Sequence, residues 1–180
     1  MRVVAGSAKG RQLRAPAGSG VRPTSDRVRE AVFDMLGSLD AVEGASVLDL
    51  FAGTGAMGIE ALSRGAAVAT FVERDRAPLD AIHTNLVITG LYARATVVQA
   101  DALGWLTGAP RVALAFVDPP YAFDAWPTLL ERLPAGLAVL ESGQEIDVGQ
   151  AWEVLKVKRY GGTVVTLARP AGAGHEKGSA

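Results

Sequence analysis

The 180-residue sequence contains no cysteine and only two histidines, His83 and His175, which lie far apart in the chain. The absence of thiols excludes disulfide bonds, iron–sulfur clusters and thiolate metal sites. Two distant histidines do not make a zinc site, so we expect chemistry without a metal. The sequence also lacks an apolar stretch of about 18 residues and an apolar segment behind its first residues. We therefore expect no membrane span, no signal peptide and a cytoplasmic location.

A large net charge is absent as well, since 18 basic side chains nearly balance 19 acidic ones, and 49% of the residues are hydrophobic. This composition predicts one globular domain with a substantial core. Residues 1–29 nevertheless hold seven basic side chains and one acidic, which leaves 11 basic and 18 acidic for the remainder. This asymmetry favours nucleic-acid contact over a merely soluble arm. The candidate contacts are Arg2, Lys9, Arg11, Arg14, Arg22 and Arg27.

The basic segment divides into an expected hairpin and an expected helix. Four glycines in residues 1–22 suit a flexible hairpin that follows a phosphate backbone. Pro23 stops this segment, Thr24 or Ser25 can cap a helix, and Asp26 favours its first turn. Apolar residues at helical spacing predict an amphipathic helix that ends near Gly37. A packing helix explains the apolar stripe, but it leaves Arg22, Thr24 and Arg27 without a role.

From Ala45 onward, short β-rich runs alternate with helical stretches. The predicted strands are Ser46 to Phe51, Ala67 to Val72, Thr96 to Ala100, Val112 to Val117, Leu137 to Leu140, Trp152 to Arg159 and Thr163 to Arg169. The predicted helices are Met57 to Arg64, Pro78 to Thr89 and Ala125 to Leu133. Uninterrupted apolar strands indicate an α/β protein with a parallel sheet covered on both faces, and the last two strands indicate an antiparallel pair. We expect residues 23–170 to form this domain and residues 171–180 to be a disordered tail.

Acidic residues stand near the ends of successive predicted strands, where ligands bind in such sheets. Asp49 precedes the glycine loop "GTGAMG", which allows close approach to a ligand at a helix N-terminus. Glu73 can accept the hydroxyls of a ribose, and Asp101 can accept from an exocyclic amine such as adenine N6. Together these features predict a nucleoside pocket.

Each feature also has a simpler explanation. Asp101 could cap the helix that begins at Ala102, Asp49 could satisfy loop amides, and Glu73 alone could be a solvated strand-end charge. The glycine loop also fits a nicotinamide-dependent reductase. No His, Lys or Tyr constellation supplies hydride-acceptor chemistry convincingly, so the reductase is disfavoured.

The stretch "FVDPPYAF" ends an apolar strand in an acid followed by two prolines. Prolines cannot donate to a β ladder and fix φ near −65°, so the strand must stop at Asp118 and the chain must leave stiffly. A structural strand terminator would explain the prolines alone. Beside a nucleoside pocket, a rigidly held carboxylate favours a catalytic role instead.

Two sets of motifs carry a family resemblance. "VLDLFAGTGAMGIEALSRGA", "FVERD", "QADAL" and "FVDPPYAF" resemble the consecutive motifs of class I S-adenosylmethionine-dependent methyltransferases with the Asp-Pro-Pro-Tyr signature of amino-group methylation. "RVVAGSAKGRQL", "RPTSDRVREAVFDML", "NLVITGL" and "KRYGGTVVTL" resemble the bacterial small-subunit (16S) ribosomal RNA guanine-N2 methyltransferase family. The resemblance extends from Arg2 to Leu167.

The resemblance implies a Rossmann-like sheet of seven mostly parallel strands, a terminal antiparallel hairpin, and an N-terminal β-hairpin and helix extension. It implies S-adenosylmethionine as the cofactor. Asp49, Phe51, Gly53 and Gly55 would line its methionine and ribose side, and Glu73 would hold the ribose with Arg74 beside it. Asp101 and Ala102 would contact the adenine.

It also implies that the target base is held by Asp118, Pro119, Pro120 and Tyr121. The substrate would be small-subunit ribosomal RNA or the assembled small-subunit particle, and a monomer would suffice. The acid in this motif does not choose among guanine N2, adenine N6 and cytosine N4, so methylation of another base in RNA or DNA stays open. A noncatalytic RNA-binding assembly factor is a further alternative.

Overall fold

The computed structural model describes residues 1–16 and 26–172. Within this part of the chain, seven β-strands form one sheet, and helices cover both of its faces. The strands are β1 (Ser46–Leu50), β2 (Val68–Glu73), β3 (Ala95–Gln99), β4 (Val112–Val117), β5 (Ala135–Ser142), β6 (Trp152–Tyr160) and β7 (Thr163–Pro170). The α-helices are α1 (Asp26–Gly37), α2 (Ala56–Ser63), α3 (Arg76–Thr89), α4 (Ala102–Leu106) and α5 (Trp126–Arg132), and Tyr92–Arg94 form a 3-10 turn.

The strand order across the sheet is β3-β2-β1-β4-β5-β7-β6. Strands β1 to β5 pair in parallel, whereas β7 is antiparallel to both β5 and β6. The predicted mostly parallel sheet with a terminal antiparallel pair is confirmed. The chain order reverses between β1 and β4, which creates a crevice outside their carboxyl ends. Leu50 pairs with Val72 on one side and with Val117 on the other, so three strands end together at this crevice.

Alternate residues of the buried strands supply two apolar layers. On one face, Phe71 and Phe116 belong to a core that α1, α2 and α3 cover, and the rings of Phe33 and Phe116 lie 5.5 Å apart. On the other face, Leu48 and Leu50 pack in a second core with α4 and α5. Burial on both faces explains why these strands read as uninterrupted apolar runs.

The predicted strand and helix bounds from Ser46 onward agree with the structure to within two residues. The largest difference is at β5, which was expected from Leu137 to Leu140 but begins two residues earlier and continues through Glu141 and Ser142. These polar residues remain in the strand because they pair with Val165 and Val164 of β7. Helix α1 begins at Asp26 and ends at Gly37 as expected. The proposed capping residues 23–25, and residues 173–180 of the expected tail with His175, lie outside the described residues.

The first 16 residues form a hairpin, as expected, but this hairpin is docked on the helices, whereas a flexible one was expected. Arg2 and Gln12 form an antiparallel bridge, and the Val3 N–H donates to the Arg11 carbonyl at 3.0 Å. Three hairpin side chains are buried in the core that α1 and α2 share: Val3, Ala8 and Leu13. The hairpin approaches α2 so closely that a Cβ on Gly6 would lie 1.9 Å from the Ser63 carbonyl oxygen. Gly6 also has a φ of +83°, which glycine adopts without a steric penalty.

A buried ionic network fixes the hairpin to the helices. The fully buried Glu60 accepts hydrogen bonds from the Val4 N–H at 2.8 Å, the Ala5 N–H at 2.9 Å and Arg64 Nε at 2.8 Å. Arg29, also fully buried, lies 3.4 Å from Glu60, and its Nη2 donates to Asp26 and to the carbonyl oxygen of residue 2. Arg29 therefore holds the fold together and does not contribute to the cationic surface counted from the sequence.

No helix in residues 1–16 and 26–172 is long and apolar enough to cross a membrane. In the same residues, no group of three or more His, Asp or Glu side chains is placed to hold a metal ion.

Candidate active site

A cavity of about 740 Å³ opens at the carboxyl ends of the parallel strands. Its volume lies within the ordinary range of small-molecule sites. One end is lined by the glycine loop and by the ends of β2 and β3, and the other end by the residues that follow β4 and by the last residues of β5. The two sets of residues expected to bind a cofactor and a base therefore face one continuous space.

The glycine loop turns sharply from β1 into α2. The backbone adopts positive φ at Phe51 (61°), Gly53 (55°) and Gly55 (76°), which is unusual for Phe51 because it carries a side chain. The Ala52 N–H donates to the Val72 carbonyl at 3.0 Å and ties the loop to β2. Gly58 is required for packing, since a Cβ there would lie 2.4 Å from the Phe71 ring. Phe51 and Gly53 line the cavity, whereas Gly55 lies behind them at the start of α2.

Asp49 lies behind the cavity wall and not on it. Its buried carboxylate accepts a hydrogen bond of 2.8 Å from the Gly58 N–H, and so it fastens α2 to β1. Burial raises the pKa of Asp49 to about 8; the Gly58 hydrogen bond opposes that rise, and the negative charges of Asp118 and Glu73 add to it. The structure supports the simpler explanation for Asp49, in which it satisfies a loop amide.

Glu73 is held at the cavity wall by two backbone donors. Its Oε2 accepts from the Gly53 N–H at 2.9 Å, and its Oε1 accepts from the Asp75 N–H at 2.8 Å. Each oxygen has a further lone pair with which to accept a ligand hydroxyl. Arg74 also lines the cavity, and its largely exposed side chain lies 3.5 Å from Asp75.

Asp101 caps α4 as considered, and it also faces the cavity. Its Oδ2 accepts from the Gly104 N–H at 3.0 Å and caps α4, and its side chain also lines the cavity. The Ala100 N–H donates to the Glu73 carbonyl at 3.1 Å, so the two acids stand at the ends of adjacent strands. Apolar residues line the wall near these acids: Val72, Pro78, Ala100, Ala102 and Leu103. An apolar wall with two carboxylate acceptors suits an adenosine group.

The Asp-Pro-Pro-Tyr loop leaves the sheet directly after β4. Asp118, Pro119, Pro120 and Tyr121 all line the cavity; Pro119 is buried, whereas the other three are exposed. The Phe123 N–H donates to the Pro120 carbonyl at 2.8 Å and closes a tight turn. The Tyr121 ring packs closely on the backbone of Gly143, where a Cβ would come within 3.1 Å. The turn at Pro120 and the contact of Tyr121 with Gly143 hold the loop in place, and its two prolines make the backbone stiff.

An aromatic contact joins this loop to the glycine loop. The Phe123 ring lies 5.4 Å from the ring of Phe51 and 5.4 Å from that of Trp126, edge to face in both cases. Phe123 packs against the second core and also lines the cavity. The cofactor end and the base end of the cavity are therefore joined by packed rings.

Several cavity residues were not singled out from the sequence. Glu141 and Ser142 line the base end from β5, and Thr163 lines it from β7. Glu141 directly follows Leu140, the predicted end of β5, so the rule that selects Asp118, that ligands bind after strands, also selects Glu141. Tyr160, the last residue of β6, also lines this cavity.

A second, smaller cavity of about 350 Å³ adjoins the first. Tyr160 and Val28 line both cavities, and the guanidinium side chains of Arg27 and Arg159 line the smaller one. The other described basic candidates, Arg2, Lys9, Arg11 and Arg14, are exposed on the hairpin and do not line either cavity. Arg22 lies outside the described residues.

Comparison with known proteins places the whole arrangement in one family. The family model described as Conserved hypothetical protein 95 matches residues 1–169, which include the glycine loop and the Asp-Pro-Pro-Tyr loop. A Bacillus subtilis protein named "Putative rRNA methyltransferase YlbH" is 37% identical over 186 residues, 96% of this chain and 100% of the relative. The "Ribosomal RNA small subunit methyltransferase D" of Escherichia coli is 44% identical over 123 residues, 67% of this chain and 60% of the relative.

A solved structure gives the same result for the fold. The "Putative methyltransferase yhhF from Escherichia coli" superposes with a TM-score of 0.83 at 35% identity, and the match covers 94% of this chain and 97% of that one. The expected class I methyltransferase fold is confirmed.

Proposed function

We infer, from the premise that this chain belongs to the ribosomal RNA small subunit methyltransferase D family, that it methylates small-subunit ribosomal RNA with S-adenosylmethionine as donor. We further propose that the acceptor is the exocyclic N2 amine of a guanine. One observation carries the proposal: Glu73, Asp101 and Asp118, at the ends of three strands, line a single cavity beside the glycine loop. That set of groups suits a nucleoside cofactor next to an amine acceptor.

The residues present fit S-adenosylmethionine. The two backbone-anchored oxygens of Glu73 suit the ribose hydroxyls, and Asp101 beside the apolar wall suits the adenine. The turn at Gly53 brings backbone close to the ligand. Asp49 would act indirectly, because its carboxylate is engaged by Gly58 and holds the loop in shape. Arg74 would lie beside the ribose at the solvent edge.

The chemistry at the base end follows from the electronic structure of an exocyclic amine. Its lone pair is delocalised into the ring, so it is a poor nucleophile until acceptors engage its N–H groups. The Asp118 carboxylate and the Pro119 carbonyl are the acceptors we assign, and Pro119 and Pro120 keep them in place. Tyr121 offers a ring on which an extracted base can stack.

The cofactor, when bound, supplies an electrophilic methyl group on a sulfonium. Positive charge moves onto the amine during transfer, so a carboxylate at Asp118 stabilises the transition state more than the ground state. Asp118 then accepts the proton that the methylated amine must lose. The remaining acceleration comes from alignment, which the packed contact of Phe51 with Phe123 maintains between the two loops.

The cationic surface supports an RNA substrate. Exposed basic side chains of the docked hairpin would contact phosphates, and Arg27 and Arg159 beside the second cavity would contact the backbone next to the extracted nucleotide. The substrate would be small-subunit RNA or the assembled particle. The protein would therefore act in the cytoplasm. A monomer would suffice for this activity.

A methyl-transfer assay tests the proposed function. The protein is incubated with S-adenosylmethionine and unmodified small ribosomal subunits or their RNA, and the methylated nucleosides are identified by mass spectrometry. N2-methylguanosine is the expected product. N6-methyladenosine or N4-methylcytidine would overturn the guanine assignment and leave the mechanism intact. Absence of any product, with cofactor binding retained, would favour the noncatalytic assembly factor.

A further inference from the structure

The base end of the cavity contains a second carboxylate beside Asp118. Val117 of β4 pairs with Leu140 of β5, and the next residue on each strand is Asp118 and Glu141, respectively. Neighbouring strands lie about 4.8 Å apart, so Asp118, directly after β4, and Glu141, near the end of β5, stand side by side at this edge of the sheet. Both line the cavity, and Glu141 is half-buried.

The other carboxylates that line the cavity stand toward its cofactor end. Glu73 is anchored to the glycine loop by the Gly53 N–H, Asp75 lies 3.5 Å from Arg74, and Asp101 caps α4. At the base end, Ser142 follows Glu141, but its hydroxyl is neutral and donates to the Gln144 carbonyl. Among the cavity carboxylates in the described part of the chain, Asp118 and Glu141 are therefore the pair that a base would meet.

The edge of guanine that carries the N2 amine presents two neighbouring donors, N2–H and N1–H. Two adjacent carboxylates match these two donors. Adenine and cytosine present the opposite pattern next to their amine, because adenine N1 and cytosine N3 are acceptors. A carboxylate facing such a ring nitrogen would repel its lone pair and stay without a hydrogen bond from the base, which is costly in a desolvated site.

Resting on the proposed function, we propose that Glu141 is the residue that determines base specificity: its carboxylate accepts the N1–H of guanine while Asp118 accepts the N2–H. The Asp-Pro-Pro-Tyr loop then selects an exocyclic amine, and the end of β5 selects the purine that has a donor beside that amine. This division of roles accounts for a guanine preference that Asp118 alone does not explain.

The proposal is tested with RNA that carries either guanine or 2,6-diaminopurine at the position methylated by the wild-type protein. Diaminopurine keeps the 2-amine but has an acceptor at N1. The wild-type protein should prefer guanine by about 100-fold or more in kcat/KM. Glu141→Gln should lower kcat/KM for guanine by about 10- to 100-fold. The preference for guanine over diaminopurine should also narrow by at least about tenfold, because the amide of the variant can donate to N1 of diaminopurine.

The matched control is Glu131→Gln, which makes the same change at an exposed position of α5. The control should leave both rates unchanged, and both variants should keep the wild-type affinity for S-adenosylmethionine. Similar wild-type rates on the two bases would overturn the proposal. So would an equal loss on both bases in Glu141→Gln, because a residue that reads N1 must affect them differently. Failure of the proposed function is distinct: the wild-type protein would then make no N2-methylguanosine at all.

Discussion

Glu73 Oε2 accepts a hydrogen bond of 2.9 Å from the Gly53 N–H, so that one carboxylate joins the end of β2 to the glycine loop. The same side chain is positioned to receive the ribose of the cofactor. Its removal should therefore disturb both the shape of the loop and the binding of the ligand.

We expect Glu73→Ala to weaken S-adenosylmethionine binding by about 10- to 100-fold, the range for removing hydrogen bonds to a charged group. Isothermal titration calorimetry measures the dissociation constant, with the exposed Glu131→Ala as the control. Binding of wild-type strength in Glu73→Ala would remove Glu73 from the cofactor site.

The buried carboxyl of Asp49 predicts a pH dependence of stability. Its folded-state pKa of about 8 lies above the ordinary value, so between about pH 4 and pH 8 the folded protein keeps a proton that the unfolded chain releases. Stability from this group is complete below the unfolded-state pKa and declines as pH rises through the folded-state value, by at most about 1.4 kcal/mol per pH unit. Asp49→Asn cannot ionise, and its amide oxygen can still accept from Gly58.

Urea unfolding between pH 5 and pH 9 checks this prediction. The free energy of unfolding of Asp49→Asn minus that of the wild type should grow with pH and level off above about pH 8. A constant difference across that range would show that Asp49 does not titrate as its burial requires.

The docking of the hairpin depends on Glu60. In Glu60→Gln the buried Arg29 would keep Asp26 but lose its buried negatively charged neighbour, and two hairpin N–H groups would compete for one amide oxygen. Breaking a buried ion pair costs about 3–5 kcal/mol, which is a large share of the stability of a small domain. Glu153→Gln, which breaks the exposed ion pair with Arg169, should cost about 1 kcal/mol or less. Equal midpoints in urea for the two variants would contradict a structural role for this network.

The basic surface can be tested through the salt dependence of RNA binding. We expect the double variant Arg11→Gln with Arg14→Gln to bind small-subunit RNA more weakly, because fewer phosphates are neutralised. The slope of log affinity against log salt should fall by about 0.7 to 0.9 for each phosphate that the variant no longer neutralises. Arg76→Gln on α3 is a control with an exposed arginine. An unchanged slope in the double variant would place the RNA away from the hairpin.

Local patterns are sufficient to predict the sheet and the ligand edge. The apolar strands, the glycine loop and the prolines after Asp118 each have one structural consequence that does not depend on distant residues. Because ligands bind at the ends of parallel strands, the sequence alone predicts that Glu73, Asp101 and Asp118 meet at one cavity.

The features that the sequence does not predict depend on distant contacts. Asp49 was expected to line the cofactor site, but its side chain projects toward α2, on the face opposite to those of Leu48 and Leu50, where it contacts Gly58. From the sequence alone, Arg29 is counted with the surface cations. Its burial cannot be predicted locally, because it depends on Glu60, 31 positions later in the chain. The position of Glu141 beside Asp118 depends on the pairing of β5 with β4, which local patterns do not give.

The most direct test of the central claim is the activity of Asp118→Ala on unmodified small ribosomal subunits, with S-adenosylmethionine affinity measured in parallel. The account predicts that N2-methylguanosine formation falls by about 10²-fold or more with the cofactor affinity nearly unchanged, because Asp118 lines the base end of the cavity. Asp118→Asn, which keeps one acceptor oxygen, should retain more activity than Asp118→Ala. Activity of Asp118→Ala close to that of the wild type would contradict the account.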